Sequence, residues 1–516
     1  MARNRYAVLL VACLATFAIN LDTNIVNVAL PALNRDLDAS TRDLQWVVDA
    51  YNLAFAALVL GAGSLGDRFG RRPALITGLV GFAVASGLGA VCTTSGQLTA
   101  ARAVMGLFAA LIFPTTLSII TNAFRERGAR ARAIGIWGAV TGVAVAVGPV
   151  IGGLLLEHFW WGSVFVALVP VAAVTAALTV WLVPESRDAA APGIDLPGVL
   201  AGSATIGLLV YTIIEAPHRG WAAPITIAGF AATVALGGIF VLIERRVAHP
   251  MLDVSVFATR AFTAASMSVT VAFFALFGFI FLVTQYFQFI RGYGPLSTGV
   301  RILPVAGTIA AGSAAGPPLV ARFGTRPVVM TGLALLGGSF AWIAASPIDE
   351  SYWLIVGQMI MMGLGLGLTQ VPATDSILSV LPAAKAGVGS AVNDATREAG
   401  GTLGVAVVGS VYASIFASHL RDSDLARLPA DLMAQATSSL GAALEVAQRS
   451  GGGPLVDAVN SSFLSAFHVG CVVGAAVCWA GALAASALPG RHLAQVERPG
   501  HPDHPEPERT ASTLPA

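Results

Sequence analysis

Long apolar runs separated by short polar turns are the dominant pattern of this 516-residue chain. A helix needs roughly 20 apolar residues to cross the hydrocarbon core of a membrane. On that basis we predict about fourteen spanning helices, near residues 6–30, 43–64, 74–92, 98–121, 133–156, 163–183, 197–215, 224–243, 262–286, 298–320, 328–345, 353–376, 387–415 and 462–488. An even number of spans places both ends of the chain on the same side of the membrane.

One polar turn occurs twice, once in each half of the chain. The first copy reads Gly63-Ala-Gly-Ser-Leu-Gly-Asp67-Arg68-Phe69-Gly70-Arg71-Arg72-Pro73, and the second reads Ala321-Arg322-Phe323-Gly324-Thr325-Arg326-Pro327. A turn repeated between apolar runs indicates two related halves. We predict that this turn is a conformational gate, formed by Gly63, Asp67, Arg68, Gly70, Arg71, Arg72, Arg322 and Arg326.

The repeat predicts an all-α integral membrane protein of two six-helix bundles with an inserted helix pair. We place the first bundle at residues 1–183, the inserted pair and its linkers at 184–260, and the second bundle at 261–488. Within the second bundle, residues 418–461 form an outer loop whose apolar residues recur at helical spacing, which predicts a surface helix. The Pro-rich stretch 489–516 is expected to be a disordered cytoplasmic tail.

The arginines are unevenly distributed between the two sides of the predicted bundle. Turns on the side of the N-terminus carry Arg68, Arg71, Arg72, Arg322 and Arg326, among others, whereas the other side carries few. Positive charge concentrates on the cytoplasmic side of membrane proteins. We therefore expect a multi-pass protein of the inner (plasma) membrane with both termini in the cytoplasm.

The composition excludes several classes of protein. With 56% hydrophobic and 11% charged residues the chain does not suit a soluble fold, and a net charge of +1 gives no reason to expect a nucleic-acid partner. The four cysteines lie in apolar runs and the histidines are scattered, so we expect neither disulfides nor a metal. No nucleophile–base pair is evident, so we expect no enzymatic activity and no cofactor. A monomer surrounded by membrane lipids is the expected state.

Two charges stand out in the first half because they lie in the middle of apolar runs. A charged side chain at this depth is costly unless it is paired or faces water. Asp22 is therefore a candidate proton site, and the alternative is a fixed polar network with Asn24 and Asn27. Arg102, the lone cation of its span, should lie beside a carboxylate or a water-filled cavity.

The second half has its own charged stretch inside a predicted span. Asp394, Arg397 and Glu398 lie within about one helical turn, and Glu398 is roughly 18 Å from the cytoplasmic end at 1.5 Å per residue. We predict a partly compensated acidic site that takes part in proton coupling. The alternative is an inert salt-bridge cluster.

Aromatic residues near polar groups give candidate substrate contacts. Asp49 lies between Trp46 and Tyr51, where charge and ring quadrupole would attract a cation; the alternative is an interfacial aromatic belt. A later aromatic run surrounds two glutamines, and from it we select Phe274, Gln285 and Gln288 as cavity candidates.

The fifth span contains small residues about four positions apart, a spacing that favours close helix packing. Pro149 adds a bend. The residues assigned to this packing stripe are Gly138, Gly142, Gly148, Pro149, Gly152 and Gly153. Such a seam can seal one side of a cavity while the other opens.

These motifs together resemble the major facilitator superfamily over the whole chain except the tail. The stretch Leu21-Asp22-x-x-Ile25-Val26-Asn27-Val28-Ala29-Leu30-Pro31 and the fourteen spans resemble its drug:proton antiporter-2 branch. Gly148-Pro149-x-x-Gly152-Gly153 is similar to the antiporter signature of helix 5. Arg102, four residues before Gly106, matches the helix 4 arginine that the family is thought to use in proton transfer.

A narrower resemblance is to exporters of methyl viologen, ethidium and quaternary ammonium compounds. It rests on Trp46-x-x-Asp49-x-Tyr51 and on Glu398, and it implies that both acids act on cations. The chain departs from that pattern at Arg397, where a tyrosine is usual, and at Asn393, where an acid is usual. The extra positive charge argues against a dicationic substrate.

The resemblance implies a proton-coupled multidrug antiporter that exports small lipophilic, cationic compounds by alternating access. Export of an endogenous lipid or glycolipid by the same machinery is the first alternative. Proton-coupled uptake is the second, and the helix 5 signature disfavours it.

Overall fold

The computed structural model describes residues 2–124, 126–187, 195–247, 254–347, 350–380, 386–450 and 452–488, and these residues are helical without any strand. The helices are α1 (Ala2–Asp36), α2 (Thr41–Phe69), α3 (Arg71–Ala90), α4 (Ser95–Ala123), α5 (Arg127–His158), α6 (Ser163–Val166), α7 (Leu168–Leu182), α8 (Leu196–Arg219), α9 (Pro224–Arg246), α10 (Arg260–Gln285), α11 (Pro295–Phe323), α12 (Thr325–Ala344), α13 (Tyr352–Val380), α14 (Ala386–Arg421), α15 (Ala430–Ala436), α16 (Leu440–Ser450) and α17 (Gly453–Ala484).

The helices confirm the predicted set of spans. Twelve segments in the described part are long and apolar enough to cross a membrane, with α6 and α7 together forming one of them. Helices α2 and α5 have 29 and 32 residues, enough to cross a core about 30 Å thick at 1.5 Å per residue. The chain is therefore a multi-pass membrane protein. The predicted tail at 489–516 lies outside the described residues.

The two copies of the polar turn have the same backbone geometry. Gly70 and Gly324 each separate two helices directly, with φ of 114° and 92°. Residues with a side chain rarely adopt such backbone angles, so glycine allows one helix to end and the next to begin without a loop. We call the end of the bundle with these two glycines the hairpin face, and the other end the opposite face. Gly63 and Asp67 lie in α2, and their surroundings are outside the described residues.

The first hairpin is attached to the last turn of α7 and to the segment that follows it. The Arg71 amide donates to the Ser186 carbonyl at 2.9 Å, and the Arg72 guanidinium donates to the Val180 carbonyl. Arg68 is exposed, and its guanidinium lies 5.8 Å from the Phe69 ring centroid. Arg322 stacks in the same way on Phe323. The repeated turn thus also repeats a cation–ring contact.

Two seams join the halves. We call α1–α7 the first half and α10–α14 with α17 the second. Helix α2 packs on α14 and α5 packs on α11, so the second helix of each half meets the fifth helix of the other. This reciprocal arrangement is what two related bundles facing each other produce.

The α5–α11 seam brings backbones into contact through glycine, as the small-residue stripe predicts. A Cβ added at Gly153 would lie 2.5 Å from the Leu296 Cα, and one added at Gly299 would collide with the Pro149 carbonyl. Gly148 and Gly152 instead face α1, where an added Cβ would lie 2.8 Å from side-chain carbons of Asn24 and Ile25 respectively.

Two positions of the stripe stand apart. Gly138 is exposed, and a Cβ added there would meet no atom within 4 Å. It therefore makes no close contact with the described residues, because it lies on a different face of α5 from the adjacent Trp137, which contacts Thr16 and Phe113. The surroundings of Gly142 lie outside the described residues.

The α2–α14 seam is polar near the start of α2 and is covered by α8 of the inserted pair. The Gln45 amide donates to the Val405 and Ala406 carbonyls at 3.3 and 3.1 Å. Helix α8 packs on both α2 and α14, and its Glu215 is 2.5 Å from the Arg42 guanidinium. Trp221, after α8, donates to the Ser414 hydroxyl at 3.1 Å. The inserted pair therefore bridges the two halves.

The outer loop forms two short helices rather than the single one predicted. The helical structure is interrupted at residues 437–439, between α15 and α16. Helix α16 buries Ala443, Val446 and Ala447 and packs on α17 and the end of α1. The Thr41 amide donates to the Ser438 carbonyl at 2.9 Å, so this loop also joins the two halves at the opposite face.

The glycine contacts lead to a prediction with an internal control. Gly148→Leu should push α5 away from α1 and destabilise the protein by at least 1–3 kcal/mol, roughly the usual cost of overpacking. Gly138→Leu, on the same helix, should change neither thermal unfolding in detergent nor transport, because its side chain enters open space. Normal unfolding and transport by Gly148→Leu would contradict the packing argument.

Candidate functional site

A cavity with an empty volume of about 580 Å³ lies between the two halves. Its walls combine polar groups of α1 with aromatic rings and charges. The first half contributes Ile19, Asn20, Thr23, Asn24, Tyr51, Phe55 and Phe113, and the second contributes Phe273, Leu276, Phe277, Asp394, Arg397 and Glu398. The charged stretch of α14 predicted as an acidic site therefore lies where both halves can reach a bound molecule.

The charges of the cavity are only partly paired. Arg397 Nη1 is 3.9 Å from Asp394 Oδ1, a long ion-pair distance, and its guanidinium carbon lies 4.5 Å from the Phe273 ring centroid. Glu398 has one carboxylate oxygen, Oε2, that is buried without a hydrogen-bond partner among the described residues. With both acids ionised the site carries one net negative charge among aromatic rings.

Asp394 is held in place by a short polar chain. Asn393, one of the positions that departs from the exporter pattern, donates from Nδ2 to Asp394 Oδ1 at 3.4 Å. The Thr374 hydroxyl of α13 donates to Asn393 Oδ1 at 2.8 Å. These contacts and the Arg397 pair orient Asp394, whereas Glu398 has greater freedom to accept a proton or a cation.

Asp22 and Arg102 form a buried pair beside the cavity. Arg102 Nη1 is 2.5 Å from Asp22 Oδ2, and Arg102 Nε donates to the Val47 carbonyl at 3.0 Å. The Arg102 guanidinium carbon lies 4.3 Å from the Tyr51 ring centroid. Asp22 is fully buried and is not among the lining residues, so Tyr51 is the group that connects this pair to the cavity.

The alternative for Asp22, a network with Asn24 and Asn27, does not form. Asn24 Nδ2 donates to the Asn20 carbonyl at 2.7 Å, and Asn27 Nδ2 donates to the Thr23 carbonyl at 2.8 Å. Both amides are thus satisfied within α1. They line a second space of about 440 Å³, which shares Asn24 and Leu276 with the central cavity.

Two residues predicted as substrate contacts lie at the α2–α14 seam instead of the cavity wall. Trp46 packs against Tyr211 of the inserted pair, with ring centroids 6.2 Å apart. Asp49 is fully buried, and neither of its oxygens has a hydrogen-bond partner in the described part of the chain. It lies one turn after Gln45 on the face of α2 that meets α14.

Three predicted cavity residues, two in α10 and one in the π-helical turn Tyr286–Ile290 that follows it, also lie elsewhere. Phe274 is buried but does not line the cavity, unlike its neighbour Phe273. Gln285 Nε2 donates to the Phe281 carbonyl at 3.1 Å within its own helix. Gln288 Nε2 donates to the Val28 carbonyl of α1 at 3.0 Å, which makes it a contact between the halves near the opposite face.

Sequence reasoning missed the aromatic wall formed by Phe55, Phe113, Phe273 and Phe277. The i, i+4 spacing of Phe273 and Phe277 places both rings on one face of α10, and that face lines the cavity together with Glu398. This spacing would have been a better guide to the cavity wall than the nearby glutamines, on which the prediction relied. Phe55 and Phe113 lie within apolar runs where no polar neighbour marks them.

Comparisons with known proteins agree with this fold. The model of the Major Facilitator Superfamily matches residues 12–405. The multidrug efflux pump LfrA of Mycolicibacterium smegmatis is 34% identical over 92% of this chain and 95% of its own length. The methyl viologen resistance protein SmvA of Salmonella typhimurium is 33% identical over 89% of this chain and 93% of its own.

Solved structures give the same fold at lower sequence identity. A bacterial homologue of the human lysosomal transporter Spinster superposes with a TM-score of 0.66 at 16% identity, covering 93% of this chain and 97% of its own. The nucleoside transporter NupG superposes with a TM-score of 0.59 at 11% identity, covering 92% of this chain and 99% of its own.

The Asp22–Arg102 pair generates a prediction about stability. Asp22→Asn leaves Arg102 buried without its counter-charge and should cost about 3–5 kcal/mol of unfolding free energy. Arg102→Gln should cost a similar amount, and the double variant should lose clearly less than the sum, because the two residues interact directly. Unfolding in mixed micelles measures all four proteins. Additive losses would mean that the pair contributes no coupling energy.

Proposed function

Because the chain belongs to the major facilitator superfamily, we propose that it is a proton-coupled antiporter exporting small lipophilic cations from the cytoplasm. The observation that carries the proposal is the central cavity, whose acids exceed its cations by one and whose uncharged lining residues are half aromatic. Aromatic faces attract cations, most strongly where water is excluded. The names of LfrA and SmvA support the same class of function.

Arg397 makes the two kinds of contact that a cationic substrate would make in this cavity, one with an aromatic ring and one with a carboxylate. Its guanidinium rests on Phe273 while remaining at a loose 3.9 Å from Asp394. A planar aromatic cation can occupy the space between Phe273, Phe277 and Tyr51 and offer its charge to Glu398. The fixed charge of Arg397 leaves room for one substrate charge rather than two.

The contacts between the halves support a proposal about the side from which the cavity fills. The Gln45, Gln288 and Thr41 hydrogen bonds and the Gly299–Pro149 contact lie toward the opposite face. We propose that the hairpin face is cytoplasmic, as the arginine distribution favours. In this conformation the substrate then enters from the cytoplasm or the inner leaflet, and export requires that these contacts separate.

Exchange follows if substrate and proton compete for the same acid. Two unit charges about 4 Å apart interact by roughly 4 kcal/mol at an effective dielectric constant of 20. That energy corresponds to roughly a thousandfold change in proton affinity. A cation bound beside Glu398 therefore expels its proton, and protonation from the outside releases the cation.

Asp22 and Arg102 are proposed to modulate this exchange through Tyr51. Any movement of α4 that lengthens the Asp22–Arg102 distance leaves a buried carboxylate that favours the protonated form, because burial disfavours charge.

The membrane potential can also contribute to export. Moving one elementary charge across 100 mV changes the free energy by about 2.3 kcal/mol, so the proton-to-substrate ratio decides how far voltage drives export.

Substrate-induced proton release tests the coupling assignment. Ethidium added to the purified parent in weakly buffered solution should release protons, while Glu398→Gln and Asp22→Asn should release few or none. Glu445→Gln is the matched control, because Glu445 pairs with Arg449 on the surface helix α16 and should behave like the parent. Parental release by both amide variants would remove these acids from the coupling site.

Asp49 is proposed to set cation selectivity, and its place at the seam makes the test informative. Asp49→Asn should lower resistance to charged dyes while sparing neutral compounds. The measurement is growth inhibition by both classes at matched protein level. Equal losses for both classes would assign Asp49 to the packing of α2 on α14 instead.

A further inference from the structure

The second space, which shares Asn24 and Leu276 with the central cavity, extends from that cavity toward the opposite face. It has an empty volume of about 440 Å³ and lies between α1 and α5 of the first half and α10 and α11 of the second. Apart from the two shared residues, its lining residues on α1 and α10 come later in the chain than those of the central cavity, and both helices end at the opposite face. We call this space the side branch.

The walls of the side branch differ in chemistry from those of the central cavity. Among the described residues, none that lines the side branch is ionisable or aromatic. Ile302, Ala306 and Ile309 form an aliphatic stripe along α11, and Leu276 and Ile280 form another along α10. An apolar group that enters this space therefore leaves water for an apolar environment, which is favourable.

The few polar side chains of the side branch have their donors engaged. The Asn24 and Asn27 amides donate to carbonyls of α1, and the Thr284 hydroxyl donates to the Ile280 carbonyl at 3.1 Å. An apolar ligand group can therefore lie beside these side chains without leaving a buried donor unsatisfied, which would be costly.

Contacts between the halves bound the side branch toward the opposite face. Val28 belongs to its wall, and the Val28 carbonyl accepts from Gln288 of the second half. Pro149 also belongs to its wall and packs closely against Gly299. Along α10 the branch extends from Leu276 to Thr284, about 12 Å at 1.5 Å per residue. This length suits a short unbranched alkyl chain that begins in the central cavity.

We propose that the side branch is a subsite for the uncharged tail of an amphiphilic cation whose charged group lies beside Glu398. The proposal rests on the proposed export function and adds one feature to the substrate, a flexible aliphatic chain. Charge and aromatic faces hold the head of such a molecule in the central cavity, and the aliphatic stripes of α10 and α11 hold its tail. Ala306 sets the space available to the tail, because its small side chain lies in the wall of the branch.

Equilibrium binding of two radiolabelled ammonium ions to the purified full-length protein tests the proposal. Hexyltrimethylammonium and ethyltrimethylammonium carry the same charge and differ only in the length of one chain. At one fixed detergent concentration the parent should bind the hexyl compound at least tenfold more tightly, since each methylene group that leaves water adds roughly fourfold in affinity. We call this ratio of affinities the tail preference.

Substitutions in α11 locate the tail. Ala306→Phe fills the side branch and should remove most of the tail preference without weakening ethyltrimethylammonium binding. Ala306→Leu adds less volume and should remove part of it, which keeps the test valid if the larger residue is not tolerated. Ala310→Phe is the matched control, because it makes the same change at an exposed position of the same helix and should keep the parental preference. Thermal unfolding of each variant verifies that it is folded.

Glu398→Gln separates this proposal from the export proposal. It should weaken binding of both ammonium ions equally and keep the tail preference. Parental binding by Glu398→Gln would contradict the role of Glu398 in cation binding and leave the tail subsite in place. The side-branch proposal is overturned if the parent shows no tail preference, if the folded Ala306 variants keep it, or if Ala310→Phe loses it as well.

Discussion

A charge inside this bundle is stable only if another group compensates for it, and the degree of compensation differs from site to site. Asp22 and Arg102 are joined at 2.5 Å and fully enclosed, although Asp22 Oδ1 has no hydrogen-bond partner among the described residues. Asp394 and Arg397 are held at 3.9 Å, and Glu398 keeps an unpaired oxygen. Since an uncompensated buried charge is costly, the incompletely paired groups are those whose charge state a proton or a ligand can change. Tyr51 therefore lies between a tightly paired acid, Asp22, and the more loosely paired acids of the cavity, Asp394 and Glu398.

The seams between the halves differ in how they resist separation. At α5–α11 the two backbones are in direct contact at Gly153 and Gly299. No flexible side chain lies between them that could adjust to a small separation, so this close packing is lost as soon as the helices move apart. At α2–α14 the Gln45 amide donates hydrogen bonds to two carbonyls and one hydroxyl of α14. Water can replace these acceptors one at a time. Opening at the opposite face thus breaks one seam as a unit and can loosen the other gradually.

Periodicity and turn chemistry were sufficient to predict the spans, the repeated hairpin and the glycine seam, because each depends on local sequence alone. The cavity wall was harder, since it depends on the rotation of each helix about its own axis. A difference of one residue, about 100° of rotation, separates Phe274, which was selected, from Phe273, which lines the cavity. For the same reason the sequence did not reveal that Asp49 is absent from the cavity wall or that Gly138 has an open face. The chain alone does not reveal which neighbour each face of α2 or α5 meets.

The inserted pair limits how the α2–α14 seam can open. Helix α8 holds α2 through the Glu215–Arg42 pair and holds α14 through the neighbouring Trp221–Ser414 hydrogen bond. Glu215 is buried and also lies 3.2 Å from Arg219, so breaking its contact with Arg42 leaves its charge compensated within α8. Trp221 is partly exposed, so water can replace its bond to Ser414 when α14 moves. Opening of this seam must therefore disrupt at least one of the two contacts that α8 makes.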